Sequence, residues 1–365
     1  MGGKMQVDVD FSLALNDRTG KLFLGRDIIA ALGDRVGAVR YGRLRACPAG
    51  HLARRIAGRL THEETLARVF RPALLAPLPA VREPHPTLHL DPLSVVRHRL
   101  ESRDIVLCHD LGPVTHPQYY APKVDRLYAH AYGLIRQARP HMVFVSKTSQ
   151  REFHRLYGED YASSEVIYIP TRPGVTEGPE QQPAGIEAPF LLTVGSIGDR
   201  KNQARCIAAF AASGLAGEGW RYVLVGGDEP GAGAARQLAQ RTPGVTAPGY
   251  ATDAELRWLY RHASGFVLMS LMEGFGMPVI EATEYGLPCL VSAGGILTEI
   301  GGATMLEADP LNVTSIAAGI RAIAGMPAGE RARRVAAAAE RLGNFEPAAV
   351  LGRWRSLIGG IASAA

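Results

Sequence analysis

The stretch SLMEGFGMPVIEATEYGLP, residues 270–288, sets Glu273 and Glu281 eight positions apart, on either side of a glycine-bracketed loop that opens into a helix with Pro278 near its start. Gly274 and Gly276 allow backbone angles and close approaches that a side chain would forbid, and proline suits a first helical turn. The free N–H groups of that turn, with the positive end of the helix dipole, favour an anion such as a diphosphate. Carboxylates beside an anion repel it, so the two glutamates need another target. Ionised carboxylates only accept hydrogen bonds and vicinal hydroxyls need acceptors, which points to sugars on either side of a diphosphate. Glu281 is then placed on a ribose and Glu273 on a transferred hexose. A cluster of acids that merely complements a helix start is the competing reading. Arg200-Lys201-Asn202 follows the apolar run LLTVGS and supplies the cations: Lys201 as a point charge, Arg200 as a fork across two oxygens. His109-Asp110, after IVLC, is a further candidate pair.

These residues need elements to hold them. Short apolar runs rich in β-branched residues alternate with helical patterns, as in MQVDVDFSLAL then GKLFLGRDIIAAL, DIVLCHD then a helix over 123–138, and HMVFVS then SQREFHRLYG. That rhythm predicts a doubly wound α/β domain over residues 1–175. It breaks at residues 171–189, where four prolines and three glycines remove any periodicity and predict a linker. A second series covers 186–345: FLLTVGS, a helix over 202–213, RYVLVGGD, a helix over 253–263 with Thr252 and Glu255 as a capping box, GFVLMS, and PCLVSA. The last segment, 346–365, reads as a helix packing back on the first domain. In open parallel sheets ligands sit outside the carboxyl ends of the strands, which is where all the candidates stand.

LLTVGSIGDRKNQARCIAAF, YVLVGGD and PGYATDAELRWLYRHASGFVLMSLMEGFGMPVIEATEYGLPCLVSAGGILTEIGG resemble, in order and spacing, the donor domain of the retaining family 4 (group 1) glycosyltransferases. The resemblance extends over nearly the whole chain and implies the GT-B fold, two Rossmann-like domains facing a central cleft. It implies that Arg200 and Lys201 bind the donor diphosphate, that Glu273 and the backbone of Gly274, Phe275 and Gly276 hold the donor sugar and phosphate, and that Glu281 holds the ribose. NDRTGKLFLGRDIIAAL resembles the family's first loop and helix, with Gly20 close to the diphosphate, and IVLCHDLGPVTHPQYY resembles the segment whose histidine, here His109, contacts the donor sugar. Ser196 and Met269 depart from the family pattern, which often has arginine and proline there; Arg200 is taken to replace the arginine. The RKN loop resembles mannosyltransferase-like members and favours GDP-mannose over other GDP- or UDP-hexoses. The implied chemistry is front-face retaining transfer to a carbohydrate acceptor, lipid-linked, in envelope or exopolysaccharide synthesis, without metal or cofactor. A GT-B epimerase or phosphorylase-like enzyme, or a non-catalytic nucleotide-sugar-binding module, are the rivals.

With 365 residues and 47% hydrophobic content, the chain can bury two cores, and no apolar run reaches the ~18–20 residues of a membrane-spanning helix. The N-terminus lacks a signal-peptide layout, and Cys47, Cys108, Cys206 and Cys289 form no CxxC pair, so the expectation is a cytoplasmic protein with four buried thiols. Residues 1–175 hold 25 Lys/Arg against 17 Asp/Glu, and residues 176–365 hold 15 against 18. Much of the excess lies in residues 35–59, with seven arginines and no acid. A solvated face and docking on an anionic membrane compete as explanations; Leu44 and the helically spaced Leu52, Ile56 and Leu60 favour docking. Nucleic acid is not expected, because the arginines are not interleaved with aromatic platforms. Asp8 and Asp10 in DVD resemble a metal-binding DxD, but they precede any nucleotide-binding unit, and His85 and His89 lack a third ligand and read as loop residues. A dinucleotide oxidoreductase fares worst among the rivals, because no GxGxxG follows the first strand of either domain.

Overall fold

The computed structural model describes residues 6–16, 20–75, 78–172, 174 and 176–364. Residues 17–19 of the first loop therefore lie outside the described residues. The chain divides into two compact units, Met1–Pro170 with Pro347–Ala365, and Thr171–Glu346.

The first unit carries a six-stranded parallel sheet. Its strands are β1 (Val7–Asp10), β2 (Val36–Arg40), β3 (Thr87–His89), β4 (Ile105–Cys108), β5 (His141–Phe144) and β6 (Ser163–Val166), in the order β2-β1-β3-β4-β5-β6. All four residues of β4 are buried, as expected of a central parallel strand covered on both faces. Helix Val124–Ala138 buries Leu127, Ala131 and Ile135 at four-residue spacing. Ala131 and Ile135 build the core with Tyr132, Phe144 and Phe153, and truncating a ring such as Phe153 to alanine would cost about 3–5 kcal/mol. Helix Pro347–Ala364 closes this unit: Arg355 Nε donates to Ala31 O at 2.8 Å, and Trp354 is fully buried.

The second unit repeats the scheme with β7 (Phe190–Val194), β8 (Arg221–Val225), β9 (Val245–Gly249), β10 (Gly265–Leu268), β11 (Cys289–Ser292) and β12 (Leu306–Ala308), in the order β12-β11-β10-β7-β8-β9. The chain switches direction across the sheet where β7 meets β10. That is the topological switch point, where the ends of two neighbouring strands open a crevice. Helix Asp253–His262 starts with the expected capping box of Thr252 and Glu255.

Two expectations, for His89 and Cys47, are corrected, and two segments gain detail. The described residues of 171–189 belong to the second unit and pack within it: Arg257 and Arg261 donate to Pro179 O and Thr176 O, Gln181 N donates to Ala254 O, and Ile186 is buried. Prolines and glycines there remove periodicity without removing packing. His89 lies in β3, buried, its Nδ1 at 2.7 Å from Ser94 Oγ, because a three-residue strand is too short to show alternation. Cys47 is exposed while the other three cysteines are buried. The arginine run is not one solvated face: Arg40 pairs with Glu83, Arg43 forks onto Glu64 at 2.9 and 3.1 Å, and Arg35 donates to Arg355 O.

Candidate active site

Because β7 and β10 are hydrogen-bonded neighbours, the segments that leave them meet at one edge of the sheet, and Leu271 N donates to Arg200 O at 2.8 Å. Asn202 locks this junction. It adopts the left-handed conformation, φ 62°, which asparagine tolerates, and its Nδ2 donates to Met269 O and Pro310 O at 3.0 and 2.7 Å.

The junction gathers two cations and two carboxylates. Lys201 donates to Glu273 Oε1, which also accepts from Ser270 Oγ at 2.7 Å. Arg200 Nη1 donates to Met272 O at 3.1 Å and faces Glu273 Oε2 at 3.4 Å, while its Nη2 donates to Glu229 Oε2 at 3.0 Å. Burial alone would raise the Glu273 carboxyl, but Lys201 and Arg200 outweigh it and hold the group below the usual glutamate range, charged at neutral pH. The sequence reading gave Arg200 a fork free for diphosphate; in the folded chain both arms of that fork are engaged by protein groups. Glu229 was missed. Its signal was its place just after β8, in GGDEPG, and its Oε2 also accepts from Ser196 Oγ at 2.6 Å, so the serine at the family's arginine position shares a carboxylate with Arg200.

Gly276 caps helix Met277–Glu284 with φ 101°, a backbone angle that calls for glycine, and a Cβ there would also have to displace Leu297 Cδ2, 2.6 Å away. Gly274 is half-buried in the same loop. The ring of Phe275 is buried edge-on against Phe345, so this side chain anchors the loop and only its backbone is left for a ligand role. Glu281 is buried in the first turns of the helix, accepts from the Tyr260 hydroxyl at 2.9 Å, and has Arg172 at 4.0 Å.

His109 and Gly20 belong to the first unit. Gly20 is the first residue of helix Gly20–Leu32. His109 follows β4 and is buried; its Nε2 donates to Leu90 O at 2.8 Å, which puts the proton on Nε2 and leaves Nδ1 as a lone pair. Burial, with Lys21 nearby, pushes its pKa down to about 4, so the ring is neutral at pH 7. Asp10 is spent on structure: its carboxylate accepts from Ser12 N at 2.9 Å, His98 Nε2 at 2.8 Å and Arg97 Nη2 at 3.3 Å. Among the described residues no group of three or more His, Cys, Asp or Glu side chains has a metal-binding arrangement.

Residues 176–341 match the family described as glycosyl transferases group 1. O-antigen chain mannosyltransferase B of Escherichia coli is 27% identical over 255 residues, 66% of this chain and 66% of that protein, just under two thirds of its length. The fold is that of sucrose-phosphate synthase from Thermosynechococcus elongatus, with a TM-score of 0.72 at 19% identity over 99% of this chain and 100% of that one. Anabaena HepE, solved in complex with UDP and glucose, gives 0.66 at 17% identity over 99% and 100%. The two parallel α/β units thus form a GT-B fold, and the second of them, over residues 176–341, matches the group 1 glycosyltransferases.

Proposed function

We propose that this chain is a retaining hexosyltransferase that moves a hexose, mannose by preference, from a nucleoside diphosphate to a lipid-linked carbohydrate acceptor in envelope or exopolysaccharide synthesis, without a metal. The observation that carries the reading is the Lys201–Glu273–Arg200 cluster at the switch point of the second sheet. A diphosphate arriving there takes Lys201 as its counter-charge, and the carboxylate of Glu273, released from the lysine, accepts from the hydroxyls of the attached sugar. Glu281 takes the ribose hydroxyls in the same way. The bond from the anomeric carbon to the diphosphate breaks as the acceptor oxygen bonds to that carbon on the same face, and the acceptor's proton passes to the departing diphosphate. Lys201 and the amides at the helix start stabilise the charge that grows on the leaving group, a preorganised electrostatic role. Neutral His109 supports the positive sugar without acting as a base. Mannose is favoured by the relative that is an O-antigen chain mannosyltransferase.

The lipid-linked acceptor is supported by helix His51–Phe70. Leu52, Ile56 and Leu60 lie on one face of it, 70%, 54% and 65% exposed, flanked by exposed Arg55 and Arg59. An apolar face bordered by cations fits an anionic leaflet. No helix among the described residues is long and apolar enough to cross a membrane, so attachment at the cytoplasmic face would be peripheral.

A panel of GDP- and UDP-sugars, read by thermal shift and by nucleotide release with and without an added glycan, tests the reading. A donor present at 100 times its Kd stabilises by about 2.7 kcal/mol. Release of free sugar or an epimerised nucleotide sugar, with no glycan elongated, would replace transfer by the rival activities.

A further inference from the structure

The first sheet has a switch point of its own, where β1 and β3 pair and their following segments diverge. A cavity of about 240 Å³ lies there, the volume of roughly eight waters, in the place where open α/β sheets bind ligands. Its polar wall holds Lys21, Asp91, Arg97 and the Tyr128 hydroxyl, and Leu93 and Leu127 line the apolar side.

The charges of this wall are already matched. Lys21 Nζ is 3.5 Å from Asp91 Oδ2, and the charge of Arg97 is paired with Asp10, its other Nη donating to Thr65 Oγ1. The charged side chains among the described lining residues therefore leave no net charge for a phosphate to neutralise. Asp91 Oδ1 is fixed by Leu93 N at 2.9 Å, whereas Oδ2 meets both Lys21 and the Tyr128 hydroxyl at 3.5 Å, the outer limit of a hydrogen bond. A hydroxyl placed among the three groups converts two loose contacts into bonds of ordinary length. Burial holds the Tyr128 phenol far above its usual pKa, so it stays a donor. Leu93 and Leu127 suit the C–H face of a sugar ring.

We propose that this pocket seats an uncharged, hydroxyl-rich sugar ring of the acceptor, not a sugar phosphate, with Asp91 and Tyr128 as its hydroxyl contacts. The assignment to the acceptor rests on the transferase reading above. Its link to that chemistry is Leu90, which accepts from His109 and directly precedes Asp91. The uncharged character rests on the pocket alone.

The test is titration of the full chain with methyl α-mannoside and methyl α-glucoside, and with mannose 6-phosphate and glucose 6-phosphate, followed by NMR. Asp91→Asn keeps an oxygen for the Leu93 cap, and Tyr128→Phe keeps the ring; circular dichroism confirms that each variant is folded. At least one methyl glycoside should bind the wild type more tightly than either phosphate. It should weaken about tenfold in Asp91→Asn and several-fold in Tyr128→Phe, the scale of one lost hydrogen bond to a charged and to a neutral group. The sugar phosphates should gain relative to the glycosides in Asp91→Asn, because the wall then loses the negative charge of Asp91. Tighter binding of a phosphate by the wild type, equal affinities in all three proteins, or no binding of any of the four sugars overturns the assignment. Titration of the same samples with GDP and UDP separates the two readings. Failure to bind either nucleotide sinks the transferase reading whatever the sugars do, and intact nucleotide binding with an overturning sugar result sinks only the pocket.

Discussion

The ammonium of Lys201 donates to the carboxylate of Glu273, and both side chains are buried. The cation proposed for the donor's diphosphate is thus neutralised by the carboxylate proposed for the donor's sugar. Burying two charges carries a desolvation penalty that is offset only by good geometry and added hydrogen bonds, which Ser270 and Arg200 supply. A diphosphate and a sugar that arrive together give each partner a replacement. The two halves of the donor should therefore bind cooperatively.

Lys201→Ala should lower turnover at least ~100-fold, equivalent to ~2.7 kcal/mol of lost transition-state stabilisation. It should also lower stability, by up to about 3–5 kcal/mol if Arg200 does not compensate for the unpaired Glu273. Steady-state kinetics with the preferred donor check the first part, and a variant that keeps most of its kcat would sink the diphosphate role.

Glu281 and Glu273 should fail differently. Glu281→Ala should weaken binding of the free nucleoside diphosphate, while Glu273→Ala should keep or strengthen that binding, because Lys201 then loses the carboxylate that neutralises it, and should damage transfer. Tyr260→Phe removes the 2.9 Å bond that orients Glu281 and should give a milder form of the Glu281 effect, about 1 kcal/mol or less. Calorimetry with the opposite pattern would exchange the two assignments.

Acid should destabilise the first unit in two stages. His109 is neutral in the fold down to about pH 4, whereas an unfolded histidine protonates near ~6.5, so its contribution is full above that range and is lost as pH falls between the two values. Asp10 behaves at lower pH: burial alone would raise its carboxyl, but Arg97 and His98 hold it far below the usual range. Its stabilisation is present above the unfolded value of ~3.9 and is lost as pH falls further. Urea midpoints at a series of pH values should fall from neutral pH downward. His109→Asn should flatten the upper part of that curve, and an unchanged upper slope would refute the neutral-histidine assignment.

Activity should survive excess EDTA, since Lys201 and the helix-start amides are assigned the charge that a cation would otherwise neutralise. Loss of activity in EDTA with rescue by Mn²⁺ would overturn that assignment. Asp10 would be a poor place to seek the metal, because its carboxylate is already shared by Ser12, His98 and Arg97.

Vesicles with anionic lipid should bind the chain, and neutral vesicles should not. Binding should weaken at high salt, because each exposed cation near the surface contributes about 1 kcal/mol that is screened within a Debye length. Changing Arg55 and Arg59 to Glu, or Leu52 and Leu60 to Ser, should abolish sedimentation with vesicles and spare transfer to a soluble glycan. Equal binding to both vesicle types, or to neither, removes the leaflet as partner.

The sequence alone determined the alternation of strand and helix, the capping box at Thr252, and the placing of Lys201, Glu273 and His109 just after strands, because these follow from local periodicity and turn chemistry. Only the tertiary structure decided which partners those groups hold. Glu229 reaches Arg200 because β7 and β8 are neighbours in the sheet, and Asp91 meets Lys21 because β1 and β3 pair across an intervening strand in sequence. The seven arginines of residues 35–59 could be counted but not sorted. Pairing of Arg40 with Glu83 and of Arg43 with Glu64 depends on side chains brought from distant segments, and burial is a property of the packed chain, which no local pattern records.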